Sequence, residues 1–360
     1  MKMKFLIAIT ALLLICCYPA KSQTDTTKRD KYTLLTMPYN KRPLSLYKGQ
    51  LQVNAGYKLA VRSRSFDNNG DVIDLKANGN SAVLNCFSLD LKYGLLNFIE
   101  LEASTYYSRE GIRSESIYYD ITNGISNIGT ITLNNLNEYK GMGDLFLSAS
   151  ARLPFDYKFF DFKLTGGIYL PTAEYKPPEP TNTITDFTDA YNYTINYHYN
   201  NSNGFGVPVY QVSADAKFTL SKFSGTAGFT FQDPTKEGTN ISWSQSLNDM
   251  IFSYTSSSYR YLLDRTAMIN ASVHYQATGW FNIWMNGNYT NNSEGWTEYW
   301  GVKYANPEKH LFAIEPGFEI QISPSLTLYQ VAGYTFSGRN TDAPFYLITT
   351  VSYNLFPFLK

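Results

Sequence analysis

The chain is poor in the residues on which most enzymes and nucleic-acid binders rely. It holds 3 cysteines and 3 histidines in 360 residues, and Cys16 and Cys17 lie in an N-terminal apolar run. Without that run only Cys86 remains, so no internal disulfide can form. An excess of one charge is lacking too. Basic and acidic residues number 30 each, or 27 and 30 once residues 1–22 are removed. That balance argues against nucleic acid as a partner. No stretch after residue 22 offers the roughly 20 apolar residues of a spanning helix. If this chain crosses a membrane it does so with strands, every backbone group paired within a closed wall.

What is present begins with Lys2 and Lys4, an apolar run from Phe5 to Cys17, and Ala20-Lys21-Ser22 before Gln23. This is the layout of a cleaved secretory signal at 1–22, routed through Sec. Lipidation at Cys17 ranks second, because the residue before a lipidated cysteine is ordinarily small and Cys16 stands there. Aromatics are abundant: 30 Tyr, 23 Phe and 5 Trp. In a membrane barrel such residues form girdles where the wall meets water.

From Gly49 to Leu355 apolar and polar residues alternate in segment after segment. Leu145, Leu147, Ala149, Ala151 and Leu153, for example, interleave with Asp144, Ser148, Ser150 and Arg152. A period of two with one apolar face predicts strands with lipid on one side and a wet interior on the other. Twelve are expected, at 49–62, 82–94, 98–108, 141–153, 159–171, 206–220, 225–232, 263–276, 280–290, 310–322, 326–336 and 345–356. Tight turns at 95–97, 154–158, 221–224, 277–279 and 323–325 alternate with long polar connections at 63–81, 109–140, 172–205, 233–262 and 291–309, and a shorter one at 337–344. The reading is an all-β, transmembrane, antiparallel up-and-down β-barrel at 49–360, with short periplasmic turns and long extracellular loops. The stretch 239–259 either extends two strands above the membrane or adds a hairpin, and in the second case the count becomes fourteen. Residues 23–48 are either a periplasmic leader or a plug within the barrel.

Matching faces suggests registers. Tyr93 opposite Ile99 pairs Lys92 with Glu100 and leaves Leu95-Leu96-Asn97 as a loop whose last residue is left-handed. Tyr275 opposite Phe281 leaves Ala277-Thr278-Gly279, and Leu153 opposite Phe160 sets Arg152 against Asp161. Pro316 removes a ladder donor and predicts a bulge. On the eleventh strand Leu328 and Gln330 share a face that the pattern does not assign.

The inward charges expected to line the pore are Lys58, Arg62, Asp90, Lys92, Glu100, Glu102, Asp144, Arg152, Asp161, Lys163, Asp215 and Lys217. Their mixed signs suit mutual neutralisation better than a selectivity ring. In a plug, Lys41 and Arg42 would pair with acids such as Glu100 and Glu102. Catalytic candidates are thin. His198 and Ser202-Asn203-Gly204 carry a spacing of four where outer-membrane phospholipase has two, so the match is set aside as chance. Asp67, Asn69, Gly70 and Asp71 lack the distal acid of a calcium loop and read as a turn. No metal and no cofactor is expected.

Several short pieces together resemble the outer-membrane barrels of the meta-pathway phenol-degradation or transporter-like family, distantly similar to long-chain fatty-acid transporters. They are Tyr93-Gly-Leu-Leu-Asn97 with Ile99-Glu-Leu-Glu102, Gly141-Met-Gly-Asp144, Gly166-Gly-Ile-Tyr-Leu-Pro-Thr172, Ile314-Glu-Pro-Gly317, Ser323-Pro-Ser-Leu-Thr327 and Val351-Ser-Tyr-Asn-Leu355. Ala173 departs from the family's usual glycine, and Lys360 from the usual terminal aromatic. The resemblance implies passage of small hydrophobic or aromatic solutes through a porin-like barrel. The chain is accordingly expected in a Gram-negative outer membrane, as a monomer that is not an enzyme. Its partners would be outer-membrane lipid and lipopolysaccharide, the barrel-insertion machinery and a small-molecule solute. The alternative is a structural or surface-binding barrel with a closed lumen.

Overall fold

The computed structural model describes residues 37–76, 81–120, 129–153, 159–173, 193–195, 205–248, 251–293, 295–299 and 302–355. The expected signal at 1–22, the expected leader or plug as far as Thr36, the 154–158 turn and the His198–Gly204 stretch lie outside them. Twelve strands form one closed antiparallel ring. They are β1 (Leu51–Arg62), β2 (Ser81–Leu96), β3 (Ile99–Asp120), β4 (Leu145–Arg152), β5 (Phe160–Leu170), β6 (Val209–Leu220), β7 (Phe223–Pro234), β8 (Arg265–Gln276), β9 (Phe281–Ser293), β10 (Lys309–Gln321), β11 (Leu326–Arg339) and β12 (Phe345–Leu355). Each pairs with its neighbours in sequence, and β1 closes on β12 from Leu51 opposite Leu355 to Val61 opposite Phe345.

Burial is inverted relative to a water-soluble domain. Leu91, Leu101, Val212, Phe218, Phe229, Ile269, Val273 and Met285 all point outward and exposed. The buried residues include Glu100, Ser150, Ser213, Lys217, His274, Asn282, Glu319 and Ser352. So large a continuous apolar exterior is unsuited to water and suits hydrocarbon. Polar groups on the outer face are paired with one another: Tyr57 donates to Asn85 Oδ1 at 2.7 Å and Thr349 to Gln330 Oε1 at 2.7 Å. Gln330 and Leu328 therefore share the outer face, with exposed Tyr334.

The count is twelve. The stretch containing 239–259 forms a hairpin, Gly238–Asn248 with Ile251–Leu262, but it joins a separate five-stranded sheet with Tyr193–Ile195, Trp296–Tyr299 and Val302–Ala305. One further strand, Gly129–Met142, pairs with the distal half of β3 outside the ring. The expected strand 141–153 is thus broken at Gly143-Asp144, and the connection 109–140 contains extended β structure.

The three registers inferred from facing are each displaced by two residues. Tyr93 lies opposite Leu101 and Lys92 opposite Glu102, with a bulge between Gly94 and Leu96. Tyr275 lies opposite Ile283, and Arg152 opposite Lys163. A shift of two leaves every face unchanged, so alternation cannot detect it. Turn chemistry differs as well: among the described non-glycine residues positive φ occurs at Ser221 and Asn340, not at Asn97, and Gly279 does not adopt it either. Asn97 instead accepts from the Lys48 amide at 3.1 Å. The irregularity in β10 falls between Phe312 and Ala313 rather than at Pro316, where the register with β11 is unchanged.

Candidate functional site

The interior has a floor, a charged belt and an aromatic wall. The floor is the segment that precedes β1. Tyr39–Lys41 forms one 3-10 turn, and residues 37–50 touch strands all round the ring. The Leu46 amide donates to Glu100 on β3 at 2.9 Å and the Leu44 amide to Asp161 on β5 at 2.8 Å. Lys217 on β6 donates to the carbonyls of Tyr39 and Arg42 at 2.6 and 2.9 Å, with its ammonium 4.2 Å from the Tyr39 ring centroid. Tyr39 stacks on His274 of β8 at 4.3 Å, and Arg42 pairs with Glu319 of β10 at 2.6 Å. A short segment in contact with β3, β5, β6, β8 and β10 has to run across the inside of the ring, at the short-turn end. Gly94 of β2 allows its exit, since a Cβ there would overlap the Tyr47 carbonyl.

The expected partners of this segment differ in detail. Arg42 takes Glu319, not Glu100 or Glu102, while Lys41 is exposed. The alternation does not single out Glu319, because β10 also carries Pro316, which obscures its facing. Burial, then the Glu319 carboxylate, push the Tyr39 hydroxyl well above its ordinary range, so it stays protonated.

Above the floor the inward charges form pairs. Lys92–Glu102 stands at 3.6 Å, Lys163–Glu100 at 3.9 Å, Arg152–Asp161 at 2.6 Å, and Arg62 bridges Glu110 at 3.6 Å and Asp342 at 2.6 Å. The Arg152–Asp161 contact survives the displaced register because long side chains reach diagonally. Lys58 lies 4.6 Å from the Tyr346 ring centroid. Glu315, absent from the sequence-based set, accepts from Asn286 at 2.7 Å and from Tyr346.

Asp144 does something else. Its two oxygens accept from the amides of Ala173 at 3.0 Å and Phe205 at 2.7 Å, at the two roots of the longest connection. It is buried, and its charge is spent on backbone. Beside it an aromatic row lines the inner wall. Phe146 and Tyr169 are 4.5 Å apart, Tyr169 and Phe205 5.1 Å. Tyr106 lies flat on Gly143 and Phe146 on Gly167, where any Cβ would strike the rings.

The remaining motifs carry no chemistry of this kind. Asp67 Oδ1 accepts from the Asn69 and Asp71 amides at 2.7 and 2.9 Å, closing its own turn. His274 is enclosed by Ser272, Asn282 and Tyr39, and His310 stands near Tyr289 at 6.3 Å.

No family model matches the chain, and no curated protein matches it. Among solved structures it is similar to an outer membrane channel from Pseudomonas putida F1, at 14% identity and TM-score 0.59, covering 86% of this chain and 97% of that one. It also matches the P. putida toluene transporter TodX (8% identity, TM-score 0.47, 90% and 94% covered) and the NanC porin (10%, 0.41, 85% and 100%). The first likeness establishes a shared barrel fold. The other two are too distant to argue from.

Proposed function

We propose that this protein is an outer-membrane channel for small solutes. The observation that carries the reading is the inverted ring: an apolar exterior around a charged, amide-rich interior, floored by a segment outside the wall. A barrel built only as a scaffold has no need to bury so many ionised groups, each of which costs free energy unless paired. The path runs past Lys58, Asp90, Lys92, Lys163 and Asp215. The Phe146–Tyr169–Phe205 row supports solutes with a flat apolar face, which ring stacking would hold. The P. putida F1 protein that shares this barrel fold is an outer membrane channel, which supports the same reading.

Residues 37–50 act as a plug in this proposal. They reach the inner wall through side chains and backbone amides, while the ring closes through β1 and β12 without them. Refolded protein and a variant lacking residues 24–46 would be compared by single-channel recording. The expected result is a small conductance that rises on deletion. A closed, surface-binding barrel is the second reading, favoured by the separate sheet that continues beyond β7, β8 and β9. No current from either protein would decide for it.

A further inference from the structure

We infer that the channel prefers cations, and that solutes bearing an ammonium group pass more readily than carboxylates of similar size. This rests on the channel reading above. Two independent observations carry it, the first in the lumen. Among the described residues Asp90 and Asp215 form no salt bridge of their own, and the lysines within electrostatic reach of them, Lys92 and Lys163, already bridge Glu102 and Glu100. Glu315 is held there by the neutral donors Asn286 and Tyr346. Two inward cations stand against these three carboxylates. Lys217 is committed to the carbonyls of the floor, and Lys58 lies against the Tyr346 ring. The open path therefore presents unmatched negative charge.

The second observation is how charge is divided between the two ends. All the long connections leave from one end of the ring, because the strands alternate in direction and their short turns lie at the other. The six long connections, bounded as the sequence pattern bounds them, carry 18 acidic and 11 basic residues; Arg62 and Arg265, just outside those bounds, bridge Glu110, Asp342 and Asp233, and an acidic excess remains. Residues 172–205 are the extreme case, with Glu174, Glu179, Asp186 and Asp189 against Lys176. At the opposite end residues 37–48 carry three basic and no acidic residues, and the short turns two basic and one acidic. A near-neutral total thus conceals a polarised molecule. Its long-loop mouth concentrates cations, since charge of one sign around a low-dielectric opening focuses the field there.

The two contributions respond differently to salt. Mouth charges act over a Debye length of about 30 Å at 0.01 M but only about 3 Å at 1 M. Lumen carboxylates act at contact with the passing ion and persist at higher salt.

The test is the reversal potential of the refolded full-length protein, and of the variant lacking residues 24–46, in planar bilayers under a potassium chloride gradient. The expected potassium-to-chloride permeability ratio is roughly 2 or more at about 0.1 M salt, falling but staying above 1 at about 1 M, where the lumen carboxylates still act. The triple variant Asp90→Asn, Asp215→Asn, Glu315→Gln should lose at least half of the excess over unity. If it does not fold, Asp90→Asn alone carries the test, since it breaks no salt bridge. A ratio of one or below in conducting native protein overturns the inference and leaves the channel reading intact. An unchanged ratio in the folded variant overturns the lumen assignment. Silence from both native and deleted protein overturns the channel reading itself, and this inference with it.

Discussion

At Leu147 and Ser148 two adjacent residues of β4 face different solvents. Leu147 is 39% exposed on the outer wall, whereas the Ser148 hydroxyl lies 3.4 Å from Glu102 inside. Leu147→Lys should therefore lower the unfolding free energy in lipid vesicles by about 2–4 kcal/mol. Ser148→Lys, which acquires a carboxylate partner, should change it little. Urea titration of vesicle-inserted protein gives both values, and equal losses would show the facing to be wrong. Asp144 supplies a second prediction at this scale. Asp144→Ala leaves two amides without their acceptor, at a cost of about 1–3 kcal/mol. The roots of the 172–205 connection should then be cut sooner by protease than in native protein. Unchanged digestion would show that other contacts fix those roots.

Among the elements, the floor segment is joined to the wall at many points, and Arg42–Glu319 is the salt bridge whose loss is most costly. Glu319 is almost wholly enclosed, with its side chain 4% exposed. Arg42→Ala strands that carboxylate, and truncating one partner of a buried pair costs more than removing both. The double variant Arg42→Ala, Glu319→Gln should accordingly be more stable than Arg42→Ala alone, by about 1–2 kcal/mol. Both variants should admit more current than native protein. A double variant no more stable than the single would mean that Glu319 is satisfied without Arg42. The strands themselves were legible because alternation reports facing wherever it is unbroken, as it is not around Pro316 or at Leu328 and Gln330. Their registers were not, since sliding one strand by two residues preserves each face.

For the molecule as a whole, closure is the property with the plainest consequence. With β1 bonded to β12 the wall has no edge from which detergent can unzip it. Refolded protein should run at a different apparent mass on gels when unboiled, shifting on heating, and should fractionate with membranes. The same migration before and after boiling, together with recovery in soluble fractions, would count against the architecture.

The sequence by itself determined the class of fold and the facing of most strands, because both follow from a period of two and the spacing of short and long connections; it left open whether 239–259 joins the wall and which face of the eleventh strand looks inward. It also marked Lys92, Glu100, Glu102, Arg152 and Asp161 as interior charges. Tertiary structure alone decided which of them meet. Glu319 took Arg42, Glu102 took Lys92, and Asp144 took two backbone amides more than thirty residues apart in sequence. Pairing partners depend on register and on where the chain returns in space. Those are long-range quantities that a local alternation of apolar and polar residues does not encode.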